Sequence, residues 1–228
     1  MVFLLAIAAY LLGSIPMAFL VAKWTRGIDL RKHGSGNVGS SNVLAATSKR
    51  WALPVALFDT SKGLLAVLAA RWAGLEIIPQ FAVGIAAIAG HNWPIFLGFR
   101  GGRGILTTLG VILSFSPLLG LTAAVIAFSF APLKQLSFGV FIGLFLLPLL
   151  AYGLPGFFSI SERGLVAIGL AALTILAYIR RLLAGARSEL AQALSTAELL
   201  FNRLIFDRDI RDRKAWLSRS ENSGKAFS

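Results

Sequence analysis

Hydrophobic positions in this chain come in long unbroken runs. Residues 2–22, 51–72, 77–99, 105–130, 136–154 and 165–179 are mostly apolar, and short polar segments separate them. A helix needs roughly 20 apolar residues to cross the hydrocarbon core of a bilayer, and it satisfies all of its backbone polar groups internally. The pattern therefore predicts an all-α integral membrane protein. Gly13 and Pro16 fall inside the first run, where a kink or close helix contact is expected, and Gly139 and Gly143 have the spacing of a packing face in the sixth span.

The run 105–130 is interrupted by Ser116 and Pro117, which leave pieces of about 11 and 14 residues. Charge decides how it crosses. As one crossing, it gives six spans and puts the basic tail on the side opposite the basic loop 23–50. As two short crossings, it gives seven transmembrane helices, with 23–50, Arg100, Arg103, Lys134 and the tail all on one side. Only Arg71, Glu76, Glu162 and Arg163 then lie on the other face. The excess of Lys and Arg in cytoplasmic loops favours the second arrangement, with the N-terminus outside and the C-terminus cytoplasmic. The expected organisation is a membrane domain at 1–181 and a basic cytoplasmic tail at 182–228. Leucines at 190, 194, 200 and 204 suggest an amphipathic helix in that tail.

Composition narrows the chemistry. The chain has no cysteine and two histidines far apart in sequence, His33 and His91, so thiolate chemistry is excluded and no metal site or cofactor is expected. A formal charge of +12 would suit nucleic acid in a soluble protein, but in a membrane chain it reads as basic loops, so no nucleic-acid partner is expected.

Two polar stretches carry candidate chemistry. GSGNVGSSN at 34–42 has no large apolar side chain and must lie in water or line a polar cavity. RGGRG at 100–104 supplies more glycine and two guanidinium groups. Glycines let backbone N–H groups approach an anion, and serine and asparagine add donors. Asp59 and Lys62, three residues apart, share one helix face inside a predicted span, where charges face a partner or a watery cavity. Lys62, Arg100 and Arg103 are suited to neutralising phosphate. Gly34, Gly36 and Gly39 match a dinucleotide fingerprint, but no strand precedes them and Asp59 lies in a membrane helix. No phosphate-binding P-loop pattern occurs in the chain. These features point to a phosphorylated ligand at the inner membrane surface.

In order, GSIP at 13–16, the loop 34–42, DTSKG at 59–63, GHNWP at 90–94 and FRGGRG at 99–104 followed by Thr107 resemble the motifs of bacterial membrane glycerol-3-phosphate acyltransferases that use acyl phosphate as donor. The likeness runs over about 12–110 and fades afterwards. It implies seven spans with cytoplasmic active-site loops, a multi-pass location in the inner (plasma) membrane, and transfer of a fatty acyl group to the 1-hydroxyl of glycerol 3-phosphate, giving lysophosphatidic acid and phosphate. The implied catalytic residues are Ser35, Lys62, Arg103 and Ser137. The implied substrate-binding residues are Gly36, Asn37, Gly39, Ser41, Asn42, Asp59, His91, Asn92, Arg100, Gly101, Gly102, Gly104 and Thr107. The partners implied are acyl phosphate, glycerol 3-phosphate and membrane lipid.

Against the family pattern, Ala45 stands in place of Arg, Arg103 of Lys, Val140 of Ser, Ile175 of His, Tyr178 of Asn and Arg187 of Glu. A non-catalytic homologue binding phosphorylated lipid is the alternative these changes suggest, and an organic-phosphate transporter is a third class. Acyl phosphate is already activated, so transfer requires positioning and anion stabilisation more than a strong base.

Overall fold

A computed structural model describes residues 1–183 and 188–216, and every regular element among them is helical. The first apolar run forms α1 (Val2–Ser14) and α2 (Met17–Arg26), which together make a segment apolar and long enough to cross a membrane. Pro16 breaks it, because proline has no N–H to donate and disfavours helix in the residue before it. Ile15 is accordingly extended, with φ −64° and ψ 111°. After a short 3₁₀ turn at Leu30–Lys32 come α3 (Ser40–Ala46), α4 (Lys49–Trp72) and α5 (Ile77–Asn92). The run at 105–130 divides where its serine and proline predict, into α6 (Ile105–Phe115) and α7 (Pro117–Ser129), with the Ser116 hydroxyl capping α7 at the Leu119 N–H. Then follow α8 (Leu136–Gly153), α9 (Arg163–Leu182) and α10 (Thr196–Phe206).

By length and composition α4, α8 and α9 qualify as membrane spans beside the α1–α2 segment, while α6 and α7 are shorter apolar helices. Small residues set the distances between them. A Cβ on Gly63 would strike the Thr107 carbonyl, and one on Gly110 the Thr60 carbonyl, so α4 and α6 touch backbone to backbone. Gly13 and Gly90 do the same for α1 and α5. The α8–α9 pair is antiparallel and stitched by two side chains. The Thr174 hydroxyl donates to the Leu144 carbonyl and the Tyr178 hydroxyl to the Phe141 carbonyl, each at 2.8 Å. One core, including Phe81, Val111, Leu147 and Leu170, fills the space between α5, α6, α8 and α9.

Two expectations change. The third run does not stay helical to 99: α5 stops at Asn92, because Pro94 pushes Trp93 out of the helical region, to φ −132° and ψ 65°. Residues 93–104 therefore form an irregular loop with a 3₁₀ turn at Ile95–Leu97. The leucines at 190–204 do not belong to one amphipathic helix. A 3₁₀ turn at Glu189–Ala191 and the cap residue Ser195 separate them, and α10 buries Leu199, Asn202 and Arg203 against α8 and α9.

Candidate functional site

The ends of α1, α5, α7 and α9 and the starts of α4, α6 and α8 meet at one end of the bundle, and every polar loop named above gathers there. The loop 34–42 is shaped by Asn42. Its buried amide nitrogen lies within hydrogen-bond distance of the carbonyls of Leu30, His33 and Asn37 at 3.2, 2.9 and 3.0 Å, and its Oδ1 accepts from the Ser35 N–H at 3.3 Å. Asn42 thus folds the loop and has little capacity left for a ligand. Gly34 and Gly36 take positive φ of 57° and 70°, which only the absence of a Cβ makes easy. The Ser35 hydroxyl accepts from the Asn37 N–H at 3.4 Å.

Asp59 and Lys62 are both buried, with side chains 2% and 1% exposed, and pair at 2.8 Å. Lys62 Nζ also donates to the Ile15 carbonyl at 2.6 Å. That carbonyl lies at the proline break, where it also accepts from the Met17 N–H at 3.1 Å. His91 Nδ1 lies 3.5 Å from the same Asp59 oxygen that Lys62 bonds. These side chains therefore form a buried Lys–Asp–His row across α4 and α5.

The 99–104 loop passes through this corner with no room to spare. A Cβ on Gly101 would meet the His91 carbonyl, and one on Gly102 would collide with the His91 ring and the Val38 carbonyl. The Gly102 N–H donates to the His91 carbonyl at 3.1 Å. The Gly101 carbonyl accepts from Arg180 at 3.1 Å, and the Arg180 guanidinium lies over the Trp93 ring at 5.6 Å. Gly104 has positive φ and abuts the amide of Asn92, which is fully buried and makes no hydrogen bond among the described residues.

These elements enclose a cavity of about 320 Å³. Its polar half is lined by Asn37, Gly39, Ser40, Ser41, Asp59, His91, Arg103, Gly104, Ser137, Arg181 and Asp207. Its apolar half runs between α6, α7 and α8 along Ile112, Ala123, Ala124, Ala127, Phe128, Val140, Gly143 and Leu144. Arg103 sits at the boundary, with its Nε 2.7 Å from Asp207 Oδ1. Arg181 is buried and donates to the Ser137 carbonyl at 3.0 Å and the Leu204 carbonyl at 2.8 Å.

Of the residues the sequence nominates, the cavity brings together Asn37, Gly39, Ser41, Asp59, His91, Arg103, Gly104 and Ser137. Lys62 and Gly101 line a small neighbouring recess that shares Asp59 and His91 with it. Ser35, Gly36, Asn42, Asn92, Gly102 and Thr107 are not among the residues lining either space, and Arg100 is exposed. Ser40 and Asp207 line the cavity without having been nominated, and Arg181, one of the basic residues that could supply the charge missing from the family pattern, lines it as well. Two adjacent arginines at the end of an apolar helix were the available signal for Arg181, whereas nothing local distinguishes Asp207 from the other acids of its segment.

A cavity that is basic and donor-rich at one end and apolar at the other suits a ligand with an anionic head and an acyl tail. The family described as glycerol-3-phosphate acyltransferase matches residues 3–185. The chain belongs to that family. It is 48% identical over 225 residues to glycerol-3-phosphate acyltransferase 4 of Dehalococcoides mccartyi (strain CBDB1), covering 98% of this chain and 97% of the relative. It is 42% identical over 193 residues to the glycerol-3-phosphate acyltransferase of Thermoanaerobacter sp. (strain X514), covering 83% and 96%. The structure is similar to crystal structures of PlsY, an integral membrane glycerol 3-phosphate acyltransferase. The glycerol 3-phosphate form aligns with a TM-score of 0.67 and 33% identity, over 81% of this chain and 92% of PlsY. The lysophosphatidic acid form gives 0.65 and 32% over the same shares. Like PlsY, this family member is an integral, multi-pass membrane protein.

The positions that depart from the family pattern fall in varied surroundings. Val140 lines the apolar half of the cavity. Tyr178 packs against Phe141 with ring centroids 4.9 Å apart. Ala45 and Ile175 are exposed. Arg187 lies outside the described residues.

Proposed function

We propose that this chain transfers a fatty acyl group from acyl phosphate to the 1-hydroxyl of glycerol 3-phosphate, producing lysophosphatidic acid and inorganic phosphate. The observation that carries the reading is the two-ended cavity, whose apolar slot between α6, α7 and α8 meets Arg103, Arg181 and the loop 34–42 at its mouth. The acyl chain lies in the slot, and both phosphate groups lie at the basic end. Seven crossings, with the N-terminus outside, put that end on the cytoplasmic side, in keeping with the basic residues of 23–50, Arg100, Arg103, Lys134, Arg180 and Arg181.

In the reaction the glycerol hydroxyl oxygen attacks the acyl carbonyl carbon, the carbon–oxygen bond to phosphate breaks, and the hydroxyl proton passes to a phosphate oxygen. No side-chain base is required, because the departing phosphate takes that proton. The protein's work is to hold two mutually repelling anions together, which guanidinium groups and loop N–H donors accomplish in a site shielded from bulk water. Lys62 and His91 act through Asp59, fixing the wall on which the 99–104 loop rests.

Complementation tests the reading. A strain lacking its own glycerol-3-phosphate acyltransferase grows when it expresses this chain and not when it expresses the Arg103→Ala variant at equal level. Failure of a well-expressed wild-type chain counts against it.

A further inference from the structure

The acid that faces Arg103 comes from outside the region the family match covers. Asp207 follows α10, beyond residue 185, where the match ends. The Thermoanaerobacter relative aligns over 96% of its own length yet reaches only 83% of this chain, whereas the Dehalococcoides relative spans 98% of it. The segment thus lies beyond the family match, and its Asp207 lines the cavity.

Asp207 stands in the left-handed region, at φ 55° and ψ 39°, at the position after a helix that glycine usually fills. The cap alone does not ask for an acid. Its carboxylate lines the cavity and lies 2.7 Å from Arg103 Nε, with the two side chains 19% and 13% exposed. The contact is short but poorly directed, since neither atom makes an aligned hydrogen bond. An ion pair of that kind exchanges readily for a better-aligned partner, and a phosphate oxygen is one. The rest of the segment is anchored more firmly. Arg203 pairs with Asp209 at 2.7 Å and donates to the Leu182 carbonyl at 3.1 Å, and Arg181 holds the Leu204 carbonyl.

We infer that Asp207 is an internal competing anion, seated on the edge of Arg103 that a substrate phosphate needs, so that it sets the affinity of the site for phosphorylated ligands and gives way when one binds. This rests on the proposed role of Arg103 in holding phosphate. A carboxylate a few ångströms from a phosphate dianion opposes its binding strongly in a partly desolvated cavity. Removing that charge while keeping the shape should tighten binding.

Asp207→Asn is the variant to use, because asparagine tolerates the left-handed conformation and leaves the cap intact. With purified protein in detergent, KM for glycerol 3-phosphate and the inhibition constant for inorganic phosphate should both fall on the order of tenfold, with kcat changing much less. In the wild-type protein, amide exchange across 196–206 should accelerate as inorganic phosphate saturates the site. A KM and inhibition constant that rise or stay unchanged in Asp207→Asn would overturn the inference. If the wild-type chain forms no lysophosphatidic acid, the acyltransferase reading fails by itself. The phosphate titration followed by amide exchange still decides on Asp207: tighter binding in Asp207→Asn upholds the inference and equal binding overturns it.

Discussion

The ammonium of Lys62 lies 2.6 Å from the carbonyl oxygen of Ile15, a residue 47 positions earlier in the chain. The kink at Pro16 and the charge pair in α4 are thus one construction: the broken helix exposes an acceptor, and Lys62 bridges it to Asp59. Removing the lysine strands a buried carboxylate. Lys62→Met is predicted to destabilise the fold by about 3–5 kcal/mol, and adding Asp59→Asn should recover much of that loss. Thermal unfolding in detergent measures both, and additive losses in the double variant would speak against the pair.

The 99–104 loop has no tolerance for bulk. Gly102→Ala places a methyl group against the His91 ring and the Val38 carbonyl, and must push the loop that carries Arg103. A displacement of this kind costs on the order of 100-fold in kcat/KM. Steady-state kinetics beside an unfolding curve checks this, and a variant with wild-type kinetics would show that the loop can give.

How far the sequence disclosed this site varied with the range of the interaction. Local signals were legible: Ser116 and Pro117 announce the break between α6 and α7, and the three-residue spacing of Asp59 and Lys62 places them on one face. Interactions across the chain were not. Nothing near Asn42 says that its amide folds the loop backbone, since an asparagine among glycines and serines reads equally well as a ligand donor. The end of α5 was misplaced by seven residues because hydropathy continues through Ile95–Leu97 while Pro94 has already ended the helix. Asp207 escaped notice because its role depends on a fold-back of the segment beyond α9 that leucine spacing does not encode.

The apolar half of the cavity should measure the acyl chain. Val140 lines it, facing the α6–α7 side, and Val140→Phe adds bulk where a chain would lie. The variant is predicted to shift preference toward shorter donors, losing roughly tenfold in kcat/KM for long acyl phosphates, as a few methylenes of lost contact imply. Kinetics with a chain-length series tests it, and an unchanged profile would move the acyl chain elsewhere.

The fold-back segment should loosen in acid. Burial raises the Asp209 carboxyl, but the hydrogen bonds from Arg203 and the Ser188 N–H outweigh it and hold the group below the usual carboxylate range. A lowered carboxylate contributes stability that is complete above its unfolded value and is lost as pH falls through its folded one. Docking of α10 is therefore predicted to be constant above about pH 5 and to weaken below about pH 4. Limited proteolysis of 188–209 across that range reads it out, and Asp209→Asn should abolish the pH dependence.

The most direct measurement of the central claim, that one cavity holds an acyl donor and a phosphorylated acceptor for transfer, follows both products at once in purified protein. With acyl phosphate and glycerol 3-phosphate supplied, lysophosphatidic acid and inorganic phosphate should appear in equal amounts, and Arg103→Ala should lower kcat/KM on the order of 100-fold. Phosphate release without lysophosphatidic acid, or an Arg103→Ala variant as fast as wild type, would contradict it.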